Sequence, residues 1–207
     1  MLSRVNSCSL IGIDGYVVEV ETDISNGIPG FEIVGLGDTA VKESKERVKA
    51  AIKNTGFEFP TRKITINLAP ANLKKEGSAF DLSIAVGLLA ATEQVNNEAI
   101  SKYMFIGELS LGGDLRSVNG VLPMAICAKK SGIENLILPL ENADEAAVVK
   151  GLTVLPANNL AEVISHLNGE RQIEKYSVDI DSIFNRGSEW KLDFADVKGQ
   201  QNVKRAL

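Results

Sequence analysis

Residues 74–91, KKEGSAFDLSIAVGLLAA, constrain the fold more than any other stretch. The run opens with charge and Gly77, passes Ser78, Ala79 and Asp81, and is then apolar on nearly every face. A helix that is apolar all round has to be buried, so this one is predicted to be the central helix of the domain. Its start is a helix N-terminus, where unpaired backbone N–H groups favour anions and oxyanions. A serine at that place is either a nucleophile or a cap. Ser78-Ala79-Phe80-Asp81 has S-x-x-D spacing, in which Ser78 caps the N3 amide and Asp81 reaches back, so the cap is favoured.

The segments before that helix read as β structure. Residues 5–13 and 16–24 flank Asp14-Gly15, a two-residue hairpin signal, and the second run alternates as a strand with one wet face does. Residues 31–34 follow a Gly/Pro loop as a third strand. Asp38 is a good N-cap for a helix running to about Asn54, with Val41, Val48, Ala51 and Ile52 as its apolar stripe. Glu43 and Arg47 sit i,i+4 in the favourable order on the predicted wet side of that helix. Residues 63–68 alternate like a half-buried strand.

After the central helix, residues 103–109 predict a strand and residues 115–118 a short return strand. Residues 121–131 predict a helix, and 135–138 a buried strand closed by Pro139. Helix 142–148, strand 153–155 and helix 160–167 complete the pattern. Helices alternating with strands after an antiparallel start predict a mixed-sheet α/β (α+β) domain over residues 1–168. Residues 169–190 are polar and aperiodic and read as a linker whose few apolar residues dock on a surface. Residues 191–207 are expected to open a further element that is cut off at Leu207.

Composition excludes several classes. The single histidine, His166, and two isolated cysteines, Cys8 and Cys127, provide no zinc spacing. His166 is expected at a helix end near a terminal carbonyl, and the cysteines as buried free thiols of a reducing cytosol. No apolar run approaches the roughly 20 residues that span a bilayer, and the first nine residues have no apolar core, so a cytoplasmic protein is expected. Neither G-x-x-x-x-G-K-[ST] nor G-x-G-x-x-G occurs. The formal net charge of −5 argues against a generally basic nucleic-acid binder. It is uneven, however: residues 42–75 hold nine Lys/Arg against three Asp/Glu. That window reads as a solvated helix face, with a phosphate-facing patch as the alternative.

The pattern of residues 74–140 resembles the proteolytic domain of the Lon family. Glu76-Gly77-Ser78-Ala79 stands at the nucleophile segment, followed by Ile106-Gly107-Glu108, by residues 113–124 (GDLRSVNGVLPM) and by Leu138-Pro139-Leu140-Glu141-Asn142. Laid on that pattern, the family's serine falls on Ala79 and its lysine on Met124. Alanine has no nucleophilic atom and methionine cannot accept a proton, so the resemblance implies a Lon-type dyad lost at both ends and no peptidase activity.

A longer resemblance, to the Mg-chelatase-like ComM/YifB family, covers the whole chain. It rests on residues 31–36 (FEIVGL), 41–44 (VKES), 47–51 (RVKAA), 67–71 (NLAPA) and 74–82, and on 194–200 (FADVKGQ) with 204–207 (KRAL). It implies a non-proteolytic Lon-like domain of ribosomal protein S5 domain 2-like fold, preceding an AAA+ ATPase module whose Walker motifs lie beyond Leu207. It also implies that the parent is a hexameric, ATP- and Mg2+-dependent motor on DNA, associated with branch migration during transformation. The fragment itself is expected to need no cofactor and to touch no membrane. Val197 and Gly199 would then lie near the adenine of ATP. The domain would support ring assembly, or touch DNA through Arg62, Lys63, Lys74 and Lys75, the first being favoured by the acidic net charge.

Overall fold

Two long strands, β1 (Leu2–Ile11) and β2 (Asp14–Ser25), pair antiparallel at the middle of a seven-stranded sheet. The architecture is that of a computed structural model, which describes residues 1–96, 100–179 and 197–206. The β1–β2 pairing runs to Ile11 opposite Asp14, so the turn is Gly12-Ile13 and not the predicted Asp14-Gly15. Gly12 takes the left-handed conformation at φ 61°. Gly15 has a different duty: a Cβ there would lie 2.7 Å from the Pro123 carbonyl oxygen, so its bare backbone lets a helix approach the strand.

On one side of the hairpin come β4 (Lys63–Ala69), antiparallel to β2, and the edge strand β3 (Gly30–Val34), parallel to β4. On the other side β5 (Tyr103–Phe105), β8 (Asn135–Pro139) and β9 (Thr153–Ala157) add in parallel. The sheet is therefore mixed, in the order β3-β4-β2-β1-β5-β8-β9. The predicted strand 103–109 is broken at Gly107 (φ 157°). Its second part, β6 (Glu108–Leu109), leaves the main sheet to pair with β7 (Leu115–Arg116). The break exists because the Gly107 backbone turns to hydrogen-bond the chain around residues 79–82.

Each face of the sheet carries a core. Beneath α1 (Thr39–Asn54), α2 (Asp81–Ala91) and α5 (Leu160–Leu167), the inward residues Val20, Ile24, Ile64, Ile66 and Leu68 meet Phe80, Leu82, Ile84, Leu88 and Leu89. All eleven residues of α2 are buried, as an all-round apolar helix requires. The opposite face is covered by α3 (Val121–Lys130) and α4 (Ala143–Ala147), which pack Met124, Ala125 and Ala146 on Cys8, Met104, Ile106, Leu136 and Leu138. Cys8 and Cys127 are both free and buried in that second core. They adjoin there, and burial together with the neighbouring Cys127 pushes the Cys8 thiol up.

The start of the predicted linker docks on the domain. The Tyr176 amide donates to the Val154 carbonyl at 2.9 Å and its hydroxyl to Asp144 Oδ1 at 2.7 Å, while the Ile173 amide donates to His166 Nδ1 at 3.0 Å. His166 lies in the last turn of α5, at a helix end as expected, with its side chain buried and accepting the Ile173 amide, and burial pulls its pKa down. Of the linker's other apolar residues, Val178 is half-buried, whereas Ile180, Ile183 and Phe184 lie outside the described residues, as does the run from Trp190 to Asp196. Residues 197–206 carry a short helix, α6 (Gln201–Ala206).

Candidate functional site

The loop from Ala69 to Phe80, which leads into α2, carries three of the sequence-predicted site residues, Lys74, Lys75 and Ala79. Its middle is stitched to the segment before α1: the Lys75 amide donates to the Leu36 carbonyl at 3.1 Å and the Asp38 amide to the Lys75 carbonyl at 2.9 Å. Asp38 then holds both ends together. Its Oδ1 caps α1 through the Val41 amide (2.8 Å), and its Oδ2 accepts the Gly77 amide (3.2 Å). The Tyr16 hydroxyl fixes the same loop from β2 by donating to the Lys74 carbonyl at 2.8 Å.

Beyond the loop the expected capping box does not form. The N-cap of α2 is Phe80, with no side-chain cap, and Ser78 contributes only its carbonyl, which accepts the Asp81 amide. Asp81 is fully buried and takes Arg47 Nε on Oδ2 at 2.6 Å, Arg47 Nη2 on Oδ1 at 3.1 Å and the Leu109 amide at 3.2 Å. Its carboxylate is therefore not available to reach back to the Ser78 amide, and Arg47 does not pair with Glu43 on a wet face as its i,i+4 spacing suggested. Burial pushes the Asp81 carboxyl up to about 6, against the pull of Arg47 and the Leu109 amide, so the pair is ionised at pH 7. Arg47, in turn, is raised chiefly by its hydrogen bond to Asp81.

Ala79 and Met124 line one cavity of about 380 Å³. Its other walls include Ser9, Ser78 and Ser117, the carboxylates Glu76 and Glu108, and Asn119. Its rim is held from behind by Asn142, whose Oδ1 accepts the Val118 amide (3.0 Å) and whose Nδ2 donates to the Val118 carbonyl (2.9 Å). Glu145 accepts the Leu122 amide at 2.8 Å and so supports the start of α3, where Gly120 has no side chain to cap it. Gly107 completes the frame, donating to the Ala79 carbonyl (3.0 Å) and accepting the Leu82 amide (3.1 Å). The cavity has three hydroxyls, but among the described residues no lysine, arginine or histidine lines it. Serine hydroxyls next to carboxylates alone lack the amine or imidazole that would take a proton near neutral pH.

The four candidate DNA contacts have separate fates. Arg62 and Lys63 are exposed at the entry to β4. Lys74 is exposed and paired with Glu76 at 2.6 Å, which raises its pKa. Lys75 is buried: its ammonium donates to the carbonyls of Pro70 and Leu73, and burial pulls its pKa down. It is therefore corrected from a surface cation to an internal strut of the loop. The segment implied to lie by adenine has Val197 half exposed, its carbonyl taking the Lys204 ammonium, and Gly199 at φ 75°. Sequence reasoning missed Lys45, Lys49 and Lys53, which face a groove with Arg62, Phe31 and Phe59. Their i, i+4, i+8 spacing was the available signal. Among the described residues no three His, Cys, Asp or Glu gather in a metal-binding group, and no helix is long and apolar enough to cross a membrane.

Comparison with known proteins places this frame. The family model of subunit ChlI of Mg-chelatase matches residues 20–142. Competence protein ComM of Haemophilus influenzae is 41% identical over 207 residues, covering 100% of this chain and 40% of that protein. The uncharacterized protein YifB of Escherichia coli is 41% identical over 206 residues, with the same shares. Lon protease 2 of Bacillus subtilis is 26% identical over 174 residues, covering 78% of the chain and 31% of the protease, in keeping with a Lon-like mixed α/β fold. The chain thus spans 40% of the length of the ComM and YifB relatives. It belongs to the family of subunit ChlI of Mg-chelatase, and along its whole length it is a ComM/YifB-like member with a Lon-like fold.

Proposed function

We propose that this chain is the non-proteolytic Lon-like module of an AAA+ motor of the ComM/YifB type, which hydrolyses ATP and acts on DNA. The observation that carries this is the similarity to ComM along the whole chain, joined to a Lon-like frame with Ala79 and Met124 in the dyad positions. In this reading the module supports assembly of a hexameric parent ring in the cytoplasm, and the parent migrates branched DNA during transformation or recombination. ATP and Mg2+ belong to the parent's AAA+ module. From this chain, Val197 and Gly199 would offer it only an apolar side chain and backbone near the adenine, with no phosphate ligand.

The coding sequence beyond Leu207 tests the motor reading directly. A G-x-x-x-x-G-K-[ST] motif within roughly the next 30 residues, and DNA-stimulated ATPase activity of the parent, are the expected results. Absence of the motif defeats the reading. The non-proteolytic part has its own check, labelling of the folded chain with a fluorophosphonate probe. No adduct on Ser78, Ser9 or Ser117 is expected; a stoichiometric adduct on any of them would return a serine hydrolase to consideration.

A further inference from the structure

We infer that the groove between α1 and the β3 edge is a binding site for single-stranded nucleic acid. It has a volume of about 500 Å³ and lies apart from the Ala79–Met124 cavity, with which it shares no lining residue. The inference goes beyond the motor reading, which assigns no nucleic-acid contact to this module.

One wall is α1, whose Lys45, Lys49 and Lys53 fall on one stripe at i, i+4 and i+8. At a rise of about 1.5 Å per residue, these ammoniums are stepped about 6 Å apart along the axis, a ladder suited to successive phosphates of an extended strand. Arg62 supplies a fourth cation from the opposite side. Among the described residues none of the four is in an ion pair, whereas their neighbours Arg47, Lys74 and Lys75 are all engaged elsewhere. Glu46 is the one acid in the lining.

The chemistry of the other wall selects among anionic partners. Phe31 of β3 and Phe59 of the loop before β4 both line the groove and are partly buried on the core, which holds them in place. Their ring centroids are 5.9 Å apart at 44°. A cationic track beside fixed aromatic faces matches a strand whose bases are free to stack. A duplex keeps its base faces covered and would use the lysines alone.

Fluorescence anisotropy with a labelled oligothymidylate of roughly 12 nucleotides tests this on the 207-residue chain. Binding at about 50 mM salt is expected, with a log–log salt slope of about −3, since each phosphate neutralised on a single strand contributes about −0.7. The K49E/K53E double variant, both positions exposed, should lose at least tenfold in affinity and flatten that slope by about 1.4. Phe59→Leu, which keeps the core apolar, should weaken binding several-fold with the slope unchanged. Lys74→Glu should bind as the parent chain does. The inference is overturned by no salt-sensitive binding, by wild-type affinity in K49E/K53E, by an equal loss in Lys74→Glu, or by a duplex of the same length binding more tightly. Each of those results leaves the motor reading standing, because that reading is decided by the parent's ATP site.

Discussion

Arg47 of α1 and Asp81 of α2 form a two-point ion pair, Nε to Oδ2 at 2.6 Å and Nη2 to Oδ1 at 3.1 Å, across the interface of two of the helices that cover the main core. The carboxylate has no exposure and the guanidinium side chain keeps 21% of its own, so the pair is closed on one side and open on the other. Through its third bond, to the Leu109 amide, Asp81 also anchors the end of β6. The pair thereby positions the frame around Ala79 without lining the cavity itself.

Removing one partner should be costly. Asp81→Ala leaves the Leu109 amide without an acceptor and Arg47 with only the Ala40 carbonyl, and is expected to destabilise the fold by about 3–5 kcal/mol. Arg47→Ala strands a fully buried carboxylate, which would then be protonated. In a double-mutant cycle by urea unfolding, the two losses should fail to add by roughly 0.5–3 kcal/mol. Additive losses would show that the contact is geometric only.

A second prediction concerns the place where α2 presses on the sheet. A Cβ at Gly87 would stand 2.7 Å from Thr22 Oγ1, and the Ser3 hydroxyl donates to the Gly87 carbonyl at 2.7 Å. Thr22 Oγ1 is buried and, among the described residues, has no hydrogen-bond partner. Gly87→Ala is therefore expected to destabilise by about 1–3 kcal/mol through overpacking, although alanine is the better helix former by about 1 kcal/mol. Thr22→Val removes the unsatisfied hydroxyl at nearly constant volume and should be neutral or stabilising by up to about 1 kcal/mol. Thermal unfolding of both variants decides; a stabilised Gly87→Ala would contradict the close approach.

The contrast between these two sites shows what a single sequence discloses. The alternation of Ile64, Ile66 and Leu68 and the unbroken apolar run of α2 are local signals, and both appear in the fold where they were expected. Asp14-Gly15 misled because Gly15 answers to the Pro123 carbonyl, a neighbour more than a hundred residues away in sequence. Glu43–Arg47 misled in the same way: spacing along a helix cannot show that Arg47 turns inward to Asp81. The basic window at residues 42–75 was visible as a count of charges. Its division into an ion pair, a buried strut and a cationic groove depends on which side of α1 each helical residue takes and on how the loop before α2 folds over Lys75. Phe31 and Phe59 sit 28 positions apart and meet only because β3 and β4 pair in parallel.

Adjacent in sequence, Lys74 and Lys75 should respond differently to the same substitution. Lys75→Met removes the donor to the Pro70 and Leu73 carbonyls and is expected to destabilise by about 1–3 kcal/mol, loosening the loop that leads to Ala79. Lys74→Met breaks only an exposed pair with Glu76 and should leave the unfolding midpoint unchanged. Denaturant titration of the two variants is sufficient. Equal midpoints would return Lys75 to the surface, where the sequence had placed it.

His166 should make the docked start of the linker sensitive to acid. Its Nδ1 accepts the Ile173 amide at 3.0 Å, its Nε2 lies 3.3 Å from the Tyr103 hydroxyl, and its ring meets Tyr103 edge-on with centroids 5.7 Å apart. Accepting at Nδ1 requires the neutral ring; a proton there would face the Ile173 N–H with a second donor. Burial lowers the folded pKa below the unfolded value of about 6.5, so the unfolded chain binds the proton more readily. The stability that His166 contributes is therefore complete above about pH 6.5 and is lost as pH falls through the folded pKa. Asp81, raised to about 6, acts in the opposite sense: its contribution is complete below about 3.9 and is lost as pH rises through 6. Because the two partly cancel in a global melt, the local signals are the informative ones. Titration of the imidazole by NMR should give a pKa below 6.5, with faster hydrogen exchange of the Ile173 amide as the ring becomes charged. A ring that titrates at or above 6.5, or an Ile173 amide indifferent to that titration, would contradict the contact.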